Sequence, residues 1–142
     1  MENKHFFLDE ENFYQRLEYF YEKHGQIILA YDFDDTVYDC RNYGRDYSEL
    51  AELIREMHQY AYLIVFTSRP ESEYALVENY LRQNNIPFDA INDDAPQTPE
   101  ERRCRKVYYH VLLDDKASLL MPYNALERFL DARQENWFST IF

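Results

Sequence analysis

The sequence predicts an α/β domain: a parallel sheet with helices packed on both faces. Two observations carry that expectation. Four short apolar runs (QIILAY at 26–31, AYLIVF at 61–66, IPFDAI at 86–91, YYHVLL at 108–113) have strand length and alternate with stretches of helical periodicity. These runs are largely apolar throughout rather than at every second position, as strands covered on both sides of a parallel sheet require.

Taken in order, residues 9–24 read as a helix with Phe13, Leu17, Phe20 and His24 on one face and Gly25 as its stop. The first strand follows, and residues 38–47 (YDCRNYGRDY) read as a loop. Ser48 is placed to cap a second helix, in which Leu50, Leu53, Ile54 and Met57 recur at i, i+3, i+4 and i+7. After the second strand, Pro70 stands at a first helical position, and Tyr74, Val77 and Leu81 mark that helix's buried side. Residues 92–104 (NDDAPQTPEERRC) are polar, proline-punctuated loop. A last helix from about Pro122 buries Leu126, Phe129 and Leu130. No repeat or linker interrupts the chain, so one domain is expected: an extra helix over 1–25, a core over 26–130 and a tail over 131–142.

Composition limits the function classes. Of 142 residues, 46% are apolar and 18% aromatic, which is globular rather than disordered composition. A net charge of −12 suits neither nucleic acid nor an anionic membrane by bulk attraction, although Arg102, Arg103, Arg105 and Lys106 leave a local nucleic-acid contact open. The first residues hold too short an apolar run for a leader, and no stretch has membrane-span length, so a cytoplasmic protein is expected. Cys40 and Cys104 form no paired motif and are read as reduced thiols. The four histidines lack zinc-ligand spacing. Only Gly25 and Gly44 occur, too few for a glycine-rich phosphate or dinucleotide loop.

The chemistry concentrates at one predicted edge of the sheet. Asp32, Asp34 and Asp35 end the first strand, Thr67, Ser68 and Arg69 the second, and Asp114 and Asp115 the fourth, with Lys106 just ahead of it. Sites in such sheets form at the carboxyl ends of strands. Two like charges about 4 Å apart repel by roughly 4 kcal/mol at an effective dielectric near 20. Carboxylates converging there call for a hard divalent ion, and Mg²⁺ suits a few carboxylates with waters and a phosphate oxygen. A phosphorylated substrate is the expected partner.

These stretches resemble the four motifs of the haloacid dehalogenase (HAD) superfamily of aspartate-nucleophile phosphohydrolases: Asp32-Phe33-Asp34-Asp35-Thr36-Val37, then Thr67, then Lys106, then Asp114-Asp115. The chain looks like the small, capless, Rossmann-like members found in bacteria and phages, over roughly residues 26 to 130. The resemblance implies Asp32 as nucleophile and Asp34 as acid/base. It implies a Mg²⁺ held by Asp32, Asp34 (through its carbonyl), Asp114 and Asp115, with Asp115 acting directly or through water. Thr67 and Lys106 would bind and neutralise the phosphoryl group, beside Ser68 and Arg69. Asp35 stands where many members have glycine.

Alternatives stay open at several positions. Ser68 competes with Thr67, Lys116 with Lys106, and Asp115 could simply cap the last helix. Arg41, Arg45 and Tyr38 could face a substrate from the first loop. The tail NWFSTIF (136–142) could pack on the core or form a homo-oligomer contact. With no room for a cap, the site should be open and suited to a bulky substrate. Two rivals are a catalytically silent module that only binds and a phospho-receiver domain. Motif order separates the latter, because here Asp-x-Asp opens the site and Asp-Asp closes it.

Overall fold

The structure, a computed structural model, describes residues 5–141, with side chains as far as residue 135. Helix α1 (Glu10–His24) starts where the Asp9 carboxylate accepts the N–H groups of Glu11 (2.8 Å) and Asn12 (3.3 Å), satisfying two donors that the first turn leaves free. It stops at Gly25, whose φ of 73° lies in the left-handed region that glycine enters without a side-chain penalty. Tyr14 and Leu17 are its buried residues.

β1 (Ile27–Asp32), β2 (Ala61–Phe66), β3 (Ala90–Ile91) and β4 (Val111–Leu113) form one parallel sheet in the order β3-β2-β1-β4. The α/β, Rossmann-like class expected from the sequence is what the chain adopts. Helices α2 (Ser48–Met57), α3 (Tyr74–Gln83) and α4 (Leu120–Ile141) complete the regular elements with α1.

Four local details differ from the sequence reading. Ser48 is the first residue of α2 rather than its cap; the Asp46 carboxylate accepts the Ser48 N–H at 2.9 Å. Pro70 precedes a short 3-10 turn, and α3 proper begins at Tyr74. The third and fourth strands are much shorter than their apolar runs. Asp89 accepts the Leu63 N–H through its carboxylate, and the His110 ring nitrogen Nδ1 accepts the Ile28 N–H, so side chains take donors that longer ladders would use (2.8 and 2.9 Å). Finally, residues 131–141 continue α4 as helix rather than forming a separate tail, and the side chains of 136–142 lie outside the described residues.

The two faces are covered differently. Buried residues of all four helices (Leu17, Ile54, Val77 and Phe129 among them) join one cluster with Ile27, Leu29, Tyr31, Leu63 and Val65. The opposite face shows Ile28, Ala30 and Ile64, packed against Ala95 and the partly buried Val107, Tyr108 and Tyr109 of the 92–110 connection. Topology explains this. The links from β1 to β2 and from β2 to β3 step one way across the sheet, whereas β3 to β4 must step back. Right-handed crossovers therefore place that last connection on the other face. The only helical element it carries is a 3-10 turn, Glu100–Arg102, so the helices expected on both faces lie on one.

Candidate functional site

Register brings the carboxyl ends together. Asp32 pairs with Phe66 and Tyr31 with Leu113, so Thr67 and Asp114 leave their strands on either side of Asp32. Phe33 is fully buried and anchors the turn that follows, its carbonyl accepting the N–H groups of Val37 (3.1 Å) and Tyr38 (3.0 Å). Asp35 occupies the left-handed region at φ 60°, the conformation in which glycine is the easiest residue and Asp or Asn the next. Its carboxylate accepts the Tyr47 hydroxyl at 3.3 Å and the Cys40 thiol at 3.4 Å, so it braces the loop.

Asp32, Asp114 and Asp115 each place a carboxylate oxygen within 4.8 Å of the others. Burial, followed by the adjacent Asp115 and Asp114 carboxyls, pushes the Asp32 carboxyl up from 3.8 to about 7. The donor set fits Mg²⁺. Oxygens about 2.1 Å from an ion stand up to about 4.2 Å apart across it, so a small inward movement closes the set. Such an ion would also offset the carboxyl–carboxyl repulsion that adds to burial in raising Asp32.

Thr36, given no role by the sequence reading, ties the first motif to the last. Its buried hydroxyl accepts the Asp115 N–H at 3.2 Å and lies 3.3 Å from both Asp32 Oδ2 and Asp115 Oδ1. With one proton, it donates to one carboxylate at a time. Asp115 does not cap a helix, because α4 begins five residues later at Leu120.

Asp34 faces another partner. Arg69 Nε donates to Asp34 Oδ2 at 2.9 Å and Arg69 Nη2 to Oδ1 at 2.7 Å, a two-pronged ion pair. That contact raises Arg69 above its ordinary value. The guanidinium also lies 5.6 Å from the centres of the stacked Phe33 and Tyr38 rings. Tyr38 thus does stand beside the site.

Thr67 is buried, and its Oγ1 accepts the Arg69 N–H at 3.1 Å, which leaves the hydroxyl proton free for another acceptor. Asn92, a residue missed in the sequence, clips Thr67 in place. Its Oδ1 accepts the Thr67 N–H (2.9 Å), and its Nδ2 donates to the Thr67 carbonyl (2.7 Å) and the Tyr74 hydroxyl (2.8 Å). An Asn directly after a strand was the only signal for it. Ser68 is exposed.

Lys106 is not brought to the carboxylates. It is exposed, its Nζ lies 5.8 Å from the Tyr109 ring centre, and among the described residues no ion pair or hydrogen bond joins its side chain to Asp32, Asp34 or Asp114. β4 starts late, at Val111, so Lys106 belongs to the irregular connection ahead of it rather than to a regular element that would fix its side chain on the carboxylates.

No family model matches the sequence, and no curated protein matches it. Among solved structures, the chain is similar to a conserved protein from Bacteroides thetaiotaomicron. The TM-score is 0.54 and the identity 22%, over 66% of this chain and 78% of that one. At that identity the likeness speaks to the fold alone. Among the described residues, no helix is long and apolar enough to cross a membrane.

Proposed function

We propose that the chain is a Mg²⁺-dependent, HAD-like phosphohydrolase that cleaves phosphate monoesters through an aspartyl-phosphate. The observation that carries this reading is the convergence of Asp32, Asp114 and Asp115 oxygens within 4.8 Å at the carboxyl edge. Asp32, Asp114, Asp115 and the Asp34 carbonyl would hold the ion, which supplies positive charge against the phosphoryl oxygens and the nucleophile.

An Asp32 oxygen attacks phosphorus as the bond to the leaving oxygen breaks, and Asp34 delivers the proton that oxygen needs. Asp34 then takes a proton from the water that attacks the same phosphorus, and Asp32 and inorganic phosphate are released. The Thr67 hydroxyl donates to a phosphoryl oxygen. As an acceptor of both Arg69 prongs, Asp34 offers no proton, so Arg69 must let go. An arriving phosphate is a matching acceptor for that fork. Arg69 thereby supplies at the site the cation that Lys106 does not. The absence of any insertion after the first strand leaves the site open to bulky esters. Two unpaired thiols, half-buried Cys40 and exposed Cys104, suit a reducing cytoplasm.

A second reading, a module that binds without turnover, is favoured by one feature: the Asp34–Arg69 pair occupies the acid/base. Release of phosphate from a generic aryl phosphate, with and without Mg²⁺, separates the two. Wild type should turn over only with the ion, and Asp32→Asn should lose on the order of a thousandfold or more in kcat. Undiminished turnover by Asp32→Asn would rule out the nucleophile. A wild type inert across a broad panel of phosphate esters, whose Tm still rises with Mg²⁺, would favour the binding module over the enzyme.

A further inference from the structure

Strand alternation fixes which face Asp32 serves. Ile27, Leu29 and Tyr31 belong to the helix-side core, whereas Ile28 and Ala30 pack on the loop-covered face. Asp32 continues the second set, so its carboxyl leaves the sheet on the loop-covered side. Its register partner Phe66 packs on that same face. The Tyr109 ring meets the Phe66 ring, tilted at 60° with centres 6.2 Å apart. The 92–110 connection thus reaches the strand end that carries the candidate site.

A pocket of about 260 Å³ opens in this connection, with Arg102, Lys106, Tyr108 and Tyr109 in its lining and no acidic residue. Its walls are fastened to the chain around them. The Asp94 carboxylate accepts the Tyr108 N–H at 2.9 Å, and Arg103 Nη2 donates to the Pro96 carbonyl at 3.0 Å. Among the described residues, neither Arg102 nor Lys106 forms a salt bridge, and the Lys106 ammonium lies 5.8 Å from the Tyr109 ring centre. In a chain of net charge −12, two cations without carboxylate partners invert the local field. Beside two tyrosine rings, they suit a ligand that carries both an anion and a flat aromatic ring.

We propose, resting on the phosphohydrolase reading above, that the substrate is the end of a short nucleotide chain: a terminal phosphomonoester followed by an aromatic base and a second phosphate. The terminal phosphate meets Thr67, Arg69 and the carboxylates' ion. The base stacks on the tyrosines of the pocket, and the internal phosphodiester meets Arg102 and Lys106. Only the terminal P–O bond breaks; water gives its hydroxyl to phosphorus and its proton to the leaving oxygen, and the internal diester stays whole. Charge limits the length. Asp93 and Glu101 are exposed on the same connection, so a long polyanion is repelled.

The test compares ribose 5-phosphate, a nucleoside monophosphate and an end-phosphorylated dinucleotide, the nucleotides as both 5′ and 3′ isomers. With Mg²⁺, kcat/KM for the better isomer should rise roughly tenfold with the base and about tenfold again with the second phosphate, mainly through KM. Arg102→Gln combined with Tyr108→Leu should shrink the ratio of dinucleotide to ribose phosphate by roughly tenfold or more. That ratio is taken within each protein, so a general loss of folded enzyme cancels. In chelator, where the reading above allows no turnover, the dinucleotide should shift amides of the ¹⁵N-labelled chain at 102–109. Equal kcat/KM for the three substrates, or no shifts at 102–109, would overturn the proposal. A chain inert toward every ester, the aryl phosphate included, that still shows those shifts would sink the phosphohydrolase reading while upholding the pocket's ligand.

Discussion

Asp32 ends β1 among carboxyls, and its titration makes a prediction of definite sign. Its folded value of about 7 stands above the ordinary 3.8, so between those pH values the folded chain holds a proton that the unfolded chain has lost. Without metal, this group makes stability fall as pH rises from about 4 to 7. His110 works the other way. Burial, then the neighbouring His24 and Arg16 charges, holds its imidazole down from 6.5 to about 4, so its contribution strengthens as pH rises across that window. A single Tm curve mixes the two, but the difference between wild type and Asp32→Asn isolates the carboxyl. In chelator, wild type should lose Tm relative to Asp32→Asn as pH rises from 4 to 7. Added Mg²⁺ should restore wild type at pH 7 and do less for the variant. Parallel curves for the two proteins would remove the carboxylate cluster as the cause. The aspartates themselves were legible in the sequence. Thr36 was marked only as part of the first motif and Asn92 not at all, because the contacts a hydroxyl or amide makes between residues from different strands leave no pattern along the chain.

At the scale of elements, caps and stops account for the helices and side-chain competition for the strands. Gly25 offers a clean measurement. Its φ is 73°, and a Cβ added there meets nothing within 4 Å, so Gly25→Ala introduces backbone strain with no clash. Urea unfolding should show a loss of about 1 kcal/mol. A loss several times larger would mean that the end of α1 is more tightly constrained than its open surroundings indicate. The apolar runs announced strands, and those of β1 and β2 were read almost to the residue. The runs of β3 and β4 were read too long. Apolar character reports burial, while ladder length depends on which backbone donors remain for pairing, and Asp89 and His110 take two of them.

Across the molecule, the helix-covered face holds most of the core. Phe129 is fully buried, meets Tyr21 and Tyr60 edge-on at 5.2 and 5.7 Å, and has the Arg133 guanidinium 3.5 Å from its ring centre. Phe129→Ala should cost about 3–5 kcal/mol. Val107 on the loop-covered face is only partly buried, and Val107→Ala should cost about 1 kcal/mol or less. Similar losses by chemical denaturation would contradict this asymmetry of the two faces.

Sequence alone determined the α/β class, the strand–helix alternation and the gathering of Asp32, Thr67, Asp114 and Asp115 at one edge. Each of these follows from periodicity and strand order, which are properties of the chain read in one dimension. Only the tertiary structure decided that Asp34 pairs with Arg69, that Lys106 stands apart from the carboxylates, and that one sheet face is covered by loop. Those outcomes depend on where the reversing crossover lies and on which side chains meet across it, and distance in space is not encoded by distance along the chain.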